Sequence, residues 1–344
     1  MTQAATPQEE IQKQAGKILG QVAGYVGVRT IDIGLRRGIL AEIGKHPGGI
    51  GTDDLASKLG MHAFYIEVWC QSAYAAEVID LSTDGKYSLA PHMDKLLLDN
   101  DFPGYVGGLP AVLLSKEMFG SFDDNLESGD PLWWDKCSPE FIKGVMNTGR
   151  AFYNRLIPNG VAKIAGLEDK LNAGARVLEL ASGSGFGLVK MASQYPKSTF
   201  VGLDGDAFSL GLAKEAVEAA GVADRVSFVK SWFEDIDHDS EFDACVISIS
   251  MHECRDIDKV TTNVLRALKP DGMFVISDFP FPETTEGTRT VPARVMCGIQ
   301  FFEALIEDQL LPTKAYVDLL GKHGFRDVAA FDMTPVHAVT FGVK

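Results

Sequence analysis

The sequence predicts an α/β protein with a doubly wound parallel sheet, preceded by a mostly helical domain. Two observations lead to this fold class. Between Arg176 and Asp206, an apolar strand, a glycine-rich turn, a helix and a second apolar strand follow one another. Beyond Asp206, short apolar runs keep alternating with segments of helical periodicity, which is typical of sheets covered by helices on both faces.

Composition limits the classes of partner. The 344 residues are 46% hydrophobic and carry a formal net charge of −15 at pH 7. No apolar run is long enough to span a membrane, and the negative charge repels a phosphate backbone, so we expect neither a membrane nor a nucleic acid as partner. The five cysteines never form a Cys-x-x-Cys pair, and the N-terminus lacks the pattern of a secretory signal. We therefore expect a cytoplasmic protein without a metal site.

Residues 1–100 are predicted to form a winged-helix domain. Helical periodicity extends from Glu9 to about His46, two further helices are predicted over 53–59 and 62–78, and Leu81 to Pro91 has the pattern of a hairpin. The 62–78 helix contains no Lys or Arg and shows an aromatic face. This pattern favours dimerisation and covering of a substrate over DNA binding. A winged-helix regulator that senses a cofactor is the alternative from another class of protein.

Residues 101–170 are predicted to connect this domain to the sheet domain of residues 171–344. Proline and glycine interrupt the start of the connector, and tryptophan, phenylalanine and methionine are frequent in it. Arg150 is a candidate ligand-binding residue, because a guanidinium can bind a carboxylate through two parallel hydrogen bonds. The alternative is a surface arginine beside ordinary core packing.

The glycine-rich turn predicts a nucleoside-binding loop. Gly183 and Gly185 allow a sharp turn and bring backbone N–H groups near a ligand at a helix N-terminus. Asp204, at the end of the next strand, can accept both hydroxyls of a ribose. A dinucleotide site needs a third glycine where Leu188 stands, which argues against NAD. Glu179, inside the strand end, could instead bind an amine or a cation.

Two segments resemble class I S-adenosylmethionine-dependent methyltransferases. Leu178 to Gly187 is similar to their motif I, with Ala181 in place of the usual first glycine, and Leu265 to Gly272 (Leu-Arg-Ala-Leu-Lys-Pro-Asp-Gly) is similar to their Leu-Lys-Pro-Gly-Gly signature. The resemblance implies a Rossmann-like sheet of seven strands with the last strand antiparallel, S-adenosyl-L-methionine as cofactor, and a small-molecule substrate. Small-molecule O-methyltransferases of this type also form a homodimer through an N-terminal winged helix.

The resemblance further implies which residues contact the cofactor. Ser231 stands where the family usually has an aspartate for the adenine amino group, and its hydroxyl or a backbone N–H could replace that contact, with an aromatic neighbour stacking on the adenine. The implied cofactor-binding residues are Glu179, Ala181, Ser182, Gly183, Asp204, Gly205, Ser231, Trp232, Phe233, Ser248 and Arg150.

His252 and Asp278 are the candidate catalytic residues. Ile249 to Cys254 resembles the O-methyltransferase segment that ends in His-Asp-Trp, in which the histidine deprotonates the acceptor hydroxyl; Cys254 replaces the tryptophan. A histidine that only shapes the site is the alternative. Asp278, after the fifth strand, matches the first of two carboxylates that flank the base in that family.

The second flanking carboxylate has no match at the expected place. It would fall near Leu310, which cannot ionise, and Glu307 and Asp308 are close but out of register. The predicted reaction is methyl transfer to a hydroxyl oxygen. Because orientation does most of the catalysis and a base is needed only for a protonated nucleophile, nitrogen, carbon and sulfur acceptors stay open.

Overall fold

The computed structural model describes residues 6–344 and divides into two compact units. The first unit extends to Asn100 and includes Tyr105–Leu114, and the second contains Asp101–Gly104 and Ser115–Lys344. Among residues 6–344, no helix combines the length and the apolar character that crossing a lipid bilayer requires.

The first unit is mainly helical. Thr6 caps the first helix in a reciprocal arrangement with Glu9, and a two-stranded antiparallel hairpin follows the fourth helix, with Ile50 forming a bridge to Tyr87 of that hairpin. Its elements are α1 (Pro7–Arg36), α2 (Ile39–Gly44), α3 (Thr52–Leu59), α4 (Ala63–Ala75), β1 (Ile79–Leu81), β2 (Tyr87–Leu89) and α5 (Leu109–Leu113). Gly51 is the N-cap of α3, so Thr52 is already helical and the helix begins one residue before the predicted range 53–59.

Only the C-terminal part of α1 packs into the core of this unit. Ile31 and Leu35 contact that core, and Trp69 of α4 donates a hydrogen bond from Nε1 to the carbonyl of Thr30 at 3.0 Å. The preceding turns of α1 leave large apolar side chains exposed, namely Ile11, Ile18, Leu19, Val22, Tyr25 and Val26. Apolar side chains clustered on one exposed helix are typical of a protein interaction surface.

The second unit alternates helices and strands, as the sequence predicts. Short helical turns connect several of its elements, including one at Met251–Glu253. The longer elements are α6 (Ser121–Asn125), α7 (Pro139–Arg155), α8 (Leu167–Ala173), β3 (Arg176–Leu180), α9 (Phe186–Gln194), β4 (Thr199–Asp204), α10 (Ala207–Ala219), β5 (Val226–Lys230), β6 (Phe242–Ser248), α11 (Ile257–Ala267), β7 (Leu268–Asp278), α12 (Val291–Leu305), α13 (Thr313–Lys322), β8 (Arg326–Thr334) and β9 (His337–Val343).

These strands form one seven-stranded sheet in the order β5-β4-β3-β6-β7-β9-β8. All neighbours pair in parallel except β9, which is antiparallel to both β7 and β8, so the predicted sheet is confirmed. Separate apolar clusters cover its two faces, one including Val177 and Val246 and the other including Leu178 and Ile247. The strand order reverses between β3 and β6, and ligands of open α/β sheets bind outside the strand ends at such a point.

Candidate active site

The glycine-rich loop joins β3 to α9 through residues in left-handed backbone conformation. Gly183 has φ +51° and Gly185, the N-cap of α9, has φ +73°. Ala181 also has a positive φ of +53°, a conformation that favours glycine, which explains why glycine is usual at this place in the resembling family. Ser182 is buried, and its hydroxyl has no hydrogen-bond partner within residues 6–344.

Glu179 is a fully buried carboxylate in β3. Neither of its oxygens has a hydrogen bond of normal geometry within residues 6–344. Burial raises the pKa of this carboxyl to about 8, and the nearby hydroxyl of Tyr153 opposes part of that rise. Gly187 of α9 makes room for it, because a Cβ there would collide with Oε1 of Glu179 and with Cε1 of Tyr153. Buried polar groups are nearly always paired, so these free oxygens fit a ligand that brings its own N–H groups.

Asp204 ties the loop to the next strand. Its carboxylate accepts backbone N–H groups from Gly183 and from Asp206, both at 2.8 Å, and burial raises its pKa above the ordinary value. The exposed ring of Trp232 lies over Gly205, where an added Cβ would be 3.0 Å from ring atom Cζ3. The structure thus brings the predicted ribose-binding acid and an aromatic platform to the same edge of the sheet.

Three other predicted cofactor-binding residues have local partners. Ser231 donates its hydroxyl to the carbonyl of Trp232 at 3.1 Å, and Phe233 packs, partly buried, on the core of the sheet. The Arg150 guanidinium lies over the ring of Phe186, 4.4 Å from its centroid, and 4.0 Å from the carboxylate of Asp101. Because Phe186 opens α9, the structure places Arg150 beside the glycine-rich loop.

His252 lies at the carboxyl end of β6, in the turn Met251–Glu253, and is buried. Its Nδ1 is 2.9 Å from Oδ2 of Asp278, at the end of β7. The hydroxyl of Tyr316 and the backbone N–H of Phe279 also donate to this carboxylate, at 2.7 and 2.8 Å. Asp278 is therefore held as an acceptor that fixes a proton on Nδ1 of His252. The structure brings the two predicted catalytic residues together.

The second carboxylate beside His252 comes from Glu303, which the sequence reasoning missed. Oε2 of this buried residue of α12 lies 3.5 Å from Nε2 of His252, whereas Leu310 packs in an apolar cluster. The sequence places no carboxylate at Leu310, the matching position, whereas in the structure the second carboxylate comes from an earlier residue, within α12. The available signal was a lone acid in an apolar helix, because Met296 and Ile299 share its side of α12.

These carboxylates control the protonation of His252. Burial alone would lower the pKa of the imidazole, but the charges of Asp278 and Glu303 outweigh burial and raise the pKa well above 6.5. Burial likewise raises the pKa of the neighbouring Glu253 to about 8 and that of Asp308 to about 6. At neutral pH the imidazole therefore carries a second proton, on the nitrogen that faces Glu303.

A cavity of about 400 Å³ opens next to this group. Its lining includes His252 and Asp308 as well as Cys254, Gln300 and Leu311. His252, Glu253 and Glu303 also place ligand atoms within 4.8 Å of one another, so the same side chains have the donor types that a metal ion would need.

Comparison with known proteins agrees with this geometry. Residues 171–320 match a family model described as a methyltransferase domain, which covers the glycine-rich loop, Asp204, His252 and Glu303. These residues form a methyltransferase domain. The chain also resembles the ubiquinone/menaquinone biosynthesis C-methyltransferases UbiE of Brucella anthropi, with 31% identity over 122 residues, and of Citrifermentans bemidjiense, with 28% identity over 206 residues. These alignments cover 34% and 53% of this chain, and 46% and 85% of the relatives.

Solved structures resemble the chain over nearly its whole length. The mitomycin 7-O-methyltransferase MmcR matches 97% of this chain, with a TM-score of 0.70 and 16% identity. Human N-acetylserotonin methyltransferase in complex with SAM matches 100% of this chain, with a TM-score of 0.65 and 15% identity. The N,N-8-amino-8-demethyl-D-riboflavin dimethyltransferase RosA of Streptomyces davawensis matches 98% of this chain, with a TM-score of 0.63 and 19% identity. Each of these chains is covered to 99%. At such identities the likeness establishes the shared fold, which serves oxygen and nitrogen acceptors alike.

Proposed function

We propose that this protein transfers a methyl group from S-adenosyl-L-methionine to a hydroxyl oxygen of a small molecule. The observation that carries the oxygen acceptor is His252 held between Asp278 and Glu303 beside a cavity. A hydroxyl must lose its proton as it attacks, and a histidine with a flanking carboxylate is suited to take that proton. UbiE proteins methylate carbon and RosA methylates an amine, so these acceptors are the alternatives.

The residues around the glycine-rich loop fit the proposed cofactor. Asp204 would accept the ribose hydroxyls, the ring of Trp232 would stack on the adenine, and the unpaired carboxylate of Glu179 would bind the amino group of the methionine part. Arg150 would pair with its carboxylate. The cofactor, when bound, supplies an electrophilic methyl group.

His252 must give up its second proton before it can act as base. Asp278 keeps a proton on Nδ1, so the reactive nitrogen is Nε2, which faces Glu303. In the resting state, we propose that the Nε2 proton lies between His252 and Glu303. Its transfer to the Glu303 carboxylate leaves Nε2 unprotonated, so that Nε2 can accept the proton of an acceptor hydroxyl. In the resting state, before this transfer, the imidazolium is the positive charge in this group, and no metal ion is assigned to it.

The first unit is proposed to be a winged-helix dimerisation domain of a cytoplasmic protein. Helices α3 and α4 with the β1–β2 hairpin have the expected order, and α1 exposes an apolar face that a second copy would cover. All five cysteines are free, as expected for a reducing compartment. Because α4 lacks Lys and Arg, a DNA-binding regulator is the weaker candidate.

Calorimetric titration with S-adenosylhomocysteine tests the cofactor assignment. We expect binding of S-adenosylhomocysteine but not of NAD, and loss of at least about tenfold in affinity in Asp204→Ala, because a charged group would lose its hydrogen bonds to the ribose. Asp224→Ala, an exposed acid on the same domain, is the matched control. Binding of NAD in place of S-adenosylhomocysteine would overturn the proposal.

The acceptor is tested with a mixed panel of phenols, aliphatic alcohols and amines, followed by mass spectrometry. We expect a gain of one methyl group on hydroxyl compounds, with turnover about 100-fold lower in His252→Ala and unchanged affinity for S-adenosylhomocysteine. Unchanged turnover in this variant would remove His252 from the mechanism and favour a non-hydroxyl acceptor.

A further inference from the structure

A row of four polar side chains crosses the sheet beside the proposed cofactor site. Glu179, Ser248, Ser277 and His337 lie on the adjacent strands β3, β6, β7 and β9, and each is almost completely buried. Strand register explains the row: Glu179 pairs with Val246, two residues before Ser248, and Ser248 pairs with Ser277. Because side chains alternate along a strand, these residues point to the same face.

Arg155 of α7 sets the hydrogen-bond direction at one end of this polar row. Its Nε donates to Nδ1 of His337 at 2.9 Å, and its Nη1 donates to the carbonyl of Pro103 at 2.9 Å. A guanidinium can only donate, so Nδ1 of His337 must be an acceptor, and the ring proton must sit on Nε2. Burial and the charge of Arg155 lower the pKa of His337 to about 2, so the ring is neutral at any ordinary pH, and the hydrogen bond from Arg155 fixes its tautomer.

The tautomer of His337 also determines which groups donate the hydrogen bonds between His337, Ser277 and Ser248. Nε2 of His337 lies 2.8 Å from Oγ of Ser277 and donates to it, and the hydroxyl of Ser248 also donates to this oxygen, at 3.3 Å. The only hydroxyl proton of Ser248 is thereby used inside the row. Its oxygen is left with lone pairs and acts as an acceptor, on the same face as the carboxyl of Glu179, and the buried hydroxyl of Tyr153 is close to both groups.

We propose that Arg155 and His337 are positioning residues, which make Ser248 a hydrogen-bond acceptor that works with Glu179 on the ammonium group of the cofactor's methionine part. This inference rests on the proposed function. Two acceptors on one face suit an ammonium group, which can only donate. Its positive charge would lower the pKa of Glu179 and so ionise this carboxyl on binding. Without His337 the hydroxyl of Ser248 is free to turn and to offer its proton, which an ammonium group cannot accept.

The test compares two ligands by calorimetry, S-adenosylhomocysteine and 5′-methylthioadenosine, which lacks the amino acid part. We expect Ser248→Ala and His337→Phe each to weaken S-adenosylhomocysteine about tenfold and 5′-methylthioadenosine less than about twofold. Ser248→Ala removes a single oxygen, so it keeps the test decisive if His337→Phe fails to fold.

Thr340→Val is the matched control, because Thr340 is buried in the same strand as His337 but pairs with Ile276 of the opposite face. It should change the binding of neither ligand. Equal weakening of both ligands in Ser248→Ala would give the polar row a purely structural role and overturn the inference. If the unaltered protein binds neither ligand, the proposed function itself fails, and the inference fails with it.

Discussion

Glu303 decides how the proposed base works, although it lies far from His252 in sequence. Its carboxylate faces Nε2, while Asp278, which accepts a hydrogen bond from Tyr316, lies at Nδ1 on the other side of the ring. The two carboxylates stabilise the protonated form of His252, and the imidazolium must lose a proton before the ring can act as a base. The identity of one residue in α12 therefore sets the pH range of the reaction.

Replacing Glu303 should lower the pKa of His252. Both carboxylates stabilise the imidazolium, so Glu303→Gln removes one stabilising charge and should lower the pKa of His252. Titration of the ring by NMR in labelled protein measures this without any acceptor. Activity would then persist to lower pH, with a lower plateau. The exposed Glu286→Gln is the control, and an unchanged pKa in Glu303→Gln would contradict the pairing.

Glu179 should cost stability in return for ligand binding. Its carboxyl has an ordinary pKa of 4.5 and a folded pKa of about 8, so the unfolded chain binds fewer protons between these values and stability falls as pH rises through them. Glu179→Gln removes this dependence. We expect it to be more stable than the natural protein by about 1–3 kcal/mol at pH 8 and little changed near pH 4.5.

Denaturant unfolding at several pH values measures this difference, and the same variant should lose affinity for S-adenosylhomocysteine. Glu168→Gln, in the first turn of α8, is a control whose stability difference should not vary with pH in the same way. A Glu179→Gln protein that is less stable at pH 8 would mean that the carboxylate has a partner in the native state.

Helix α9 shows how one element serves both the fold and the site. It begins at the end of the glycine-rich loop, its buried side packs on the sheet through Leu188 and Met191, and its second residue, Gly187, lies against Glu179. The helix can approach the carboxylate only because this position lacks a side chain. Gly187 therefore allows the close helix–strand packing that the third glycine allows in a dinucleotide site. It stands one position before the place of that third glycine, which is Leu188 here.

Gly187→Ala should be destabilising, although alanine normally stabilises a helix. The added methyl group would collide with Glu179 and Tyr153, and we expect a loss of about 1–3 kcal/mol together with weaker binding of S-adenosylhomocysteine. Gly211→Ala in α10 has open space around it and should gain up to about 1 kcal/mol. Thermal unfolding of the two variants compares them, and a stabilised Gly187→Ala would show that α9 can move away at no cost.

For the molecule as a whole, the open question is what covers α1. The helix exposes large apolar side chains from Ile11 to Val26, and such a group of exposed apolar side chains is typical of an interface with another protein. We propose a second copy of the chain as their partner, and the mass in solution should then be twice 37.3 kDa. Light scattering after size exclusion measures this mass.

A charge on this face should separate the copies. Val22→Glu places a carboxylate among the exposed apolar side chains of α1, and burial of an unpaired charge in an interface opposes association. We expect a monomer, or a dissociation constant raised at least about 100-fold. Lys17→Glu, a charge reversal on the same helix, is the control. A dimeric Val22→Glu protein would place the interface elsewhere.

The sequence alone determined the class of fold, the glycine-rich loop and the strand-end acid Asp204. These follow from local rules, because glycine is needed at positive φ, side chains alternate along strands, and ligands gather where parallel strands end. The seven-stranded sheet and the candidates His252 and Asp278 came from the resemblance of sequence motifs to a known family. Tertiary structure decided the rest. Glu303 reaches His252 through the packing of α12, and the polar row from Glu179 to His337 exists only because four strands distant in sequence are neighbours. Such contacts depend on register and helix packing, which no local pattern encodes.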